Sequence, residues 1–376
     1  MNGKIIIAGA STRAAAFSAQ RSGLEPFTVD MFADADLLRF FSATRVADYP
    51  HGIAEAVEKL PAGPWMYTGA LENHPDLIDE IARKRPLYGN AGKRIRQVRN
   101  PRRIAEAFRD ADLLYPDVVI HLEQLSHRQG WLRKPFQSAA GRYIEPLRSH
   151  HRENKDFYYQ SRIQGCPCSA VYLVSCTTVH LLGVTYQLIG CNWAGAAAFA
   201  YTGSIGPVQL ERRIKKQFER IGETLQSVFA VRGLIGVDAV ITDNEVWTIE
   251  VNPRYTASVE ILERAGQTGL ISQHASVFSL DCDVSPCRPD TSMMHGKAIC
   301  YAEKPLVMTR PFLEWVQKLN LEDRTWPQLA DIPMVGSWIG KGQPVLTIFT
   351  SGADVEEVKN QLQLKMVALN RRLNKQ

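Results

Sequence analysis

Asp238, Glu250, Asn252 and Arg254 fall within one segment, GLIGVDAVITDNEVWTIEVNPR (233–254). Two runs rich in β-branched residues flank the turn-like Asp243-Asn244-Glu245, and that pattern predicts a hairpin. With 243–245 as a three-residue loop, Thr242 pairs with Val246 and Asp238 lies opposite Glu250. Val240, Thr248 and Asn252 share their face. The other face then collects Val237, Ala239, Ile241, Trp247, Ile249 and Val251, all apolar. A two-residue loop sets Asp238 against Ile249 and turns charge into the core, because a slip of one residue exchanges the faces. The apolar sorting therefore selects the three-residue loop. Two carboxylates and an amide oxygen on one face are hard donors of the kind Mg²⁺ takes, completed by water and substrate phosphates. The plain alternative is a solvated polar face.

The elements that must hold these residues can be read along the chain. At 376 residues it exceeds one ordinary core, which implies two or three domains. KIIIAG (4–9), a small-residue helix ending at Gly23, a strand ending at Asp30 and WMY (65–67) alternate as a parallel sheet does. Residues 1–90 read as a doubly wound α/β domain. Asn100-Pro101 opens a helix, with Asn as cap and Pro at its first position. Strands dominate from Trp131, a helix is expected over 208–230, and another near 311–319. The expected units are 1–90, 91–285 and 286–376, the last β-rich with a terminal helix.

Composition narrows the function. The net charge is +5, and GKRIRQVRNPRR (92–103) suits phosphate but lacks the density and aromatic interleaving of a nucleic-acid surface. No run of eighteen apolar residues marks a membrane span. Seven cysteines (166, 168, 176, 191, 282, 287, 300) form no paired CxxC, so reduced thiols in a cytoplasmic protein are expected.

The segment 233–254 resembles the magnesium-binding hairpin of the ATP-grasp superfamily, and other parts follow in that superfamily's order. WLRKPFQSAAGRYI (131–144) resembles the strand and small-residue loop that cover ATP phosphates, with Ala140-Gly141 where relatives carry a double glycine. FYYQSRIQGCPCS (157–169) resembles the strand that clamps adenine, and YTGSIGP (201–207) the segment before the long helix. The resemblance spans residues 1 to about 350. It implies an α/β chain, α+β in its centre, with the ATP-grasp fold, an N-terminal doubly wound parallel-sheet domain and a small C-terminal β-rich domain. It implies Asp238, Glu250 and Asn252 as ligands of Mg²⁺, with Mn²⁺ as a substitute. Lys134 and Arg254 are the implied catalytic cations. Lys134, Ala140, Gly141, Gln160, the backbone of Arg162 and Ile163, and Arg102 are the implied ATP contacts. Within the superfamily the chain resembles an uncharacterised branch akin to tyramine–glutamate ligase, whose members accompany tetrahydromethanopterin-linked one-carbon genes.

The implied reaction activates a carboxylate as an acylphosphate and joins it to an amine, with amino-acid or small-acid substrates and homodimers common. Ser11 and Arg13 at a helix N-terminus, Glu72 and Asn73 after a strand end, and Ser258 and Glu260 after Arg254 are the candidate substrate residues. Three rivals remain. One is a carboxylase or formate-using enzyme of the same fold, and another a non-catalytic nucleotide sensor. The third is an NAD(P)-dependent oxidoreductase, which would use Gly9-x-Ser11-x-x-Ala14 with Asp30 as its ribose-binding acid.

Overall fold

The computed structural model describes residues 3–279, 286, 289–321 and 326–374. Cys282, Cys287 and the expected boundary after residue 285 lie outside the described residues.

Four parallel strands open the chain: β1 (Lys4–Gly9), β2 (Glu25–Asp30), β3 (Ser42–Arg45) and β4 (Trp65–Tyr67), in the order β3-β2-β1-β4. Ile5, Ile6 and Ile7 are all buried, as a strand covered on both faces requires. The helix Arg13–Arg21 presses Ala15, Ala16 and Ala19 onto this sheet, and their small side chains allow close approach. Asp30 closes the loop before that helix. Its carboxylate accepts from the Thr12 N–H (2.6 Å) and hydroxyl (2.7 Å), and from the N–H groups of Phe32 (2.7 Å) and Ala33 (2.8 Å). Four bonds occupy the acceptor sites of a carboxylate. The expected ribose-binding acid is thus a loop clasp, which corrects the dinucleotide reading of Asp30.

A second sheet comprises β5 (Val118–Val119), β6 (Trp131–Pro135), β7 (Glu145–Pro146) and β8 (Phe157–Ser161), in the order β5-β8-β6-β7. The remaining strands are β9 (Cys166–Val174), β10 (Val179–Ile189), β11 (Tyr201–Gly206), β12 (Gly233–Thr242), β13 (Glu245–Asn252), β14 (Met294–Tyr301), β15 (Leu306–Val307), β16 (Leu329–Ala330), β17 (Trp338–Ile339) and β18 (Pro344–Gly352). Eight of them form one sheet, β13-β12-β9-β10-β11-β14-β18-β16, and β15 pairs with β17. The helix expected over 208–230 runs Arg212–Phe229 and stops where Ala230 turns left-handed, at φ 51°. Ile214, Phe218, Ile221 and Leu225 form its buried stripe against Tyr172 and Ile235. Burying each such side chain stabilises the fold by about 1.5–3 kcal/mol. Asn100 caps the helix Pro101–Asp110 as expected, accepting from the N–H groups of Arg102 and Arg103.

The hairpin corrects the predicted turn. Thr242 pairs with Glu245, so Asp243 and Asn244 form a two-residue loop. A bulge then intervenes: Ala239 pairs with Thr248, yet Asp238 pairs with Glu250, and Ile249 is the extra residue. The Asp238–Glu250 pairing survives because the bulge cancels the shorter loop. Trp247 and Ile249 change faces relative to the expectation, and Thr248, fully buried, joins the core side with Val246 and Val251.

Among the described residues, no helix is long and apolar enough to cross a membrane.

Candidate functional site

A cavity of about 470 Å³ lies where the β5–β8 sheet faces the large sheet and the N-terminal loops. Its size falls within the roughly 300–1,000 Å³ of small-molecule sites. Leu132 and Lys134 reach it from β6, Gln187 and Ile189 from β10, Asp238 from β12, and Ile249, Glu250 and Asn252 from β13. Leu132 and Lys134 share it because alternate strand residues share a face. Ile249 and Glu250, consecutive in sequence, share it because of the bulge.

Lys134 is buried and donates to Gln160 Oε1 at 2.9 Å, while Gln160 Nε2 reaches the Ile249 carbonyl at 3.4 Å. The first bond lies within the β5–β8 sheet, between β6 and β8, and the second joins that sheet to the large one. Asp238 accepts from Gln187 Nε2 (2.8 Å) and from Asn252 Nδ2 (3.1 Å). Burial and then the Glu250 charge push the Asp238 carboxyl up to about 6, against the pull of hydrogen bonds from Ser169 and Gln187. Glu250 is a third exposed and meets Arg99 Nη2 at 3.4 Å. Arg254 lines the cavity and donates to Asn252 Oδ1 at 3.2 Å.

Among the described residues, no three His, Cys, Asp or Glu side chains cluster as a metal site. A two-carboxylate, one-amide set is smaller than that and fits a hard cation that keeps other ligands from water and phosphate. The fit rests on the donor set, with the Asp238 and Glu250 carboxylates opposed across the hairpin and lining one cavity with Asn252. Asn252 currently turns its amide oxygen to Arg254, so serving a cation requires rotation of that amide.

The other sequence candidates divide. Ala140 and Gly141 line the cavity in a loop of left-handed residues, at φ 54° and 74°. A Cβ on Gly141 would stand 1.9 Å from the Phe199 carbonyl oxygen. Ser11, Arg13 and Ser258 also line the cavity. Arg102 is exposed on the helix Pro101–Asp110 and is not brought to the cavity; Arg99, one residue before the Asn100 cap, lies against Glu72 and Glu250 instead. The Arg162 N–H, expected at a ring edge, donates to the Gly130 carbonyl at 2.7 Å, and Ile163 is half-buried outside the cavity lining. Glu72 is buried and paired with Arg254 and Arg99, so it holds protein rather than substrate. Asn73 donates to the Ser138 carbonyl at 3.2 Å, tying the N-terminal unit to the small-residue loop. Glu260 is bound by both Arg13 and Lys297.

Sequence reasoning missed Arg99, Gln187, Lys297 and Asp331. Gln187 and Lys297 sit on strands whose alternation was visible, and an isolated polar residue facing inward was the available signal. No local signal pointed to Asp331.

The fold is the ATP-grasp fold. Residues 98–258 match the model of the ATP-grasp domain. The chain is 24% identical, over 298 residues, to the formate-dependent phosphoribosylglycinamide formyltransferase of Pseudomonas putida, covering 69% of each. Its fold superposes on the ADP complex of N5-carboxyaminoimidazole ribonucleotide synthetase with a TM-score of 0.71 at 15% identity, covering 99% and 98% of the two chains. The L-amino acid ligase from Bacillus licheniformis superposes with a TM-score of 0.70 at 14% identity, covering 98% and 97%.

Proposed function

We propose that this protein is an ADP-forming ligase that activates a substrate carboxylate with ATP and joins it to an amine. The observation that carries this reading is the Asp238–Glu250 pair, opposed across the hairpin and facing the same cavity as Lys134. In the proposed reaction a carboxylate oxygen attacks the γ-phosphorus of ATP, the bond to the β–γ bridging oxygen breaks, and ADP leaves. The amine nitrogen then attacks the acyl carbon, loses a proton, and inorganic phosphate leaves.

Such chemistry needs in-line positioning and charge neutralisation more than covalent help. Lys134, a point charge, serves the α- and β-phosphates. Arg254, with fork geometry, serves the γ-phosphate and the acylphosphate. Gln160 lies behind the cavity lining, its side-chain oxygen accepting from Lys134. That oxygen's remaining lone pair is assigned to the adenine amino group, with Leu132, Ile189 and Ile249 as apolar walls. Asp238, Glu250 and Asn252 are the residues that would hold Mg²⁺ or Mn²⁺, which neutralises phosphoryl oxygens when bound. We assign residues 91–285 to nucleotide binding, between an N-terminal unit (1–90) and a C-terminal unit (286–376).

An ADP-release assay with Mg²⁺-ATP across acids and amines tests the reading. Release that requires both an acid and an amine supports it, and tight ATP binding without release under any pairing overturns it in favour of a nucleotide sensor. A formate- or bicarbonate-activating enzyme is the second reading, favoured by the likeness to a formate-dependent enzyme. Formate and bicarbonate therefore belong in the acid panel. The finer placement beside the tyramine–glutamate ligase branch rests on motif resemblance, and tyramine with glutamate is one pairing to include.

A further inference from the structure

The cavity wall formed by Arg13, Thr256, Ser258, Lys297, Asp331 and Thr347 has no role in holding nucleotide in the reading above. We propose that this wall binds a free α-amino acid, with Lys297 on its carboxylate and Asp331 on its ammonium group. The proposal rests on the ligase reading only in taking this amino acid as one of the two joined substrates.

Lys297 lines the cavity yet is only 5% exposed. Its Nζ donates to Glu260 Oε2 at 3.1 Å, and that is its one hydrogen bond among the described residues. An ammonium carries three donors. A buried charge with two donors unmatched is costly unless a ligand or water completes it. Thr256 also lines the cavity at 8% exposure, and its hydroxyl has no partner among the described residues. The unmatched Lys297 ammonium therefore borders the cavity, while the Thr256 hydroxyl is packed away from it beside Gly236.

The acceptor side is as firmly built. Asp331 sits in a left-handed backbone conformation at φ 55°, with its N–H on Asp36 at 3.0 Å. Its carboxylate is oriented by Arg13 Nε at 2.7 Å and by Thr347 Oγ1 at 2.6 Å, and its side chain remains 27% exposed toward the cavity. Each carboxylate oxygen accepts two bonds, so acceptor capacity is left. Lys297 pairs with Phe349 across β14 and β18, which makes Thr347 its diagonal neighbour on the same face. Diagonal neighbours lie about 7–8 Å apart. Asp331 is held to that same face through its Thr347 bond, so Lys297 and Asp331 border one part of the cavity.

Charge selects the ligand further. Arg13 is balanced by Glu260 and Asp331, Lys297 by Glu260, and Arg254 by Glu72. A phosphomonoester dianion would enter a wall with no uncompensated cation, whereas a zwitterion adds no net charge.

Calorimetry on the full chain tests this, with and without Mg²⁺ and a non-hydrolysable ATP analogue, using the twenty proteinogenic L-amino acids. The best binder is then compared with its 2-hydroxy acid and its decarboxylated amine. At least one amino acid is expected to bind, and each analogue to bind roughly tenfold or more weakly, as for a lost charged hydrogen bond. In Lys297→Met the decarboxylated amine should bind as well as the amino acid. In Asp331→Asn, a near-isosteric change at a partly exposed site, the 2-hydroxy acid should do so. Binding of the ATP analogue reports that each variant is folded, and Asp331→Asn decides alone where Lys297→Met is not. The inference is overturned if no amino acid binds, if the analogues bind equally well, or if ribose 5-phosphate binds in their place. Amino-acid binding without ADP release for any acid or amine would instead overturn the ligase reading and leave this site standing.

Discussion

Arg254 donates to Glu72 from both Nε and Nη2, with N–O distances of 2.7 and 2.6 Å. Glu72 follows the last strand of the N-terminal sheet, and Arg254 follows the hairpin that carries the carboxylate pair. One buried ion pair thus fixes the N-terminal unit against the site. Burial raises the Glu72 carboxyl, but Arg254 and Arg99 outweigh it and hold the group below its usual range.

Glu72→Gln should destabilise the protein by about 3 kcal/mol, because it leaves Arg254 buried without its counter-charge. A carboxyl depressed in the folded state stabilises above its unfolded value and loses that contribution as pH falls through the folded one. Wild type should therefore lose this increment on acidification below about pH 4.3, and the variant should lack the loss. Urea titrations from pH 7 to 3 check both expectations.

His274 ties the large sheet to the N-terminal unit: Nδ1 accepts from the Leu234 N–H at 2.9 Å and Nε2 donates to the Tyr88 carbonyl at 3.0 Å. Burial lowers the ring to about 4, partly offset by the Tyr88 bond. Below pH 6.5 the unfolded chain takes up a proton that the folded one resists, so stability falls between pH 6.5 and about 4. The loss should approach about 3 kcal/mol. His274→Gln should flatten that part of the curve, and an unchanged curve would falsify the assignment.

Lys134→Met should lower kcat/KM for ATP by about 10²–10³, the scale of removing one preorganised charge from a phosphoryl-transfer site. The melting temperature should change little by comparison. Gln160→Leu should raise KM for ATP more than it lowers kcat, because it touches the base rather than the phosphates. Full activity in Lys134→Met would remove that residue from the mechanism.

Gly141→Ala should weaken ATP binding without unfolding the chain. The left-handed backbone costs a side-chain-bearing residue about 1–2 kcal/mol, and the added carbon meets the Phe199 carbonyl. KM for ATP should rise roughly tenfold, and the unfolding midpoint should fall because the strain and the backbone clash are borne by the folded state.

The fold was legible because its signals are local. Apolar runs, the Asn100 cap and the alternation on β12 and β13 each place an element by themselves. The carboxylate pair was legible because face sorting works wherever one face is buried. The turn was not, since Asp243-Asn244-Glu245 suits either loop length and a bulge leaves no mark in composition. Arg99 was passed over for Arg102 because a basic run does not reveal which member points inward. Arg13 and Asp331 lie 318 residues apart in the chain, and their pairing is a product of topology alone.

The extra residue at Ile249 has an evolutionary consequence. It divides the hairpin into two segments whose registers are set separately, one by the turn and one by the Asp238–Glu250 and Gly236–Asn252 pairings. A lineage can therefore lengthen or rewrite the Asp243-Asn244 tip without displacing the carboxylates, so the tip is free to drift while the base of the same hairpin is not.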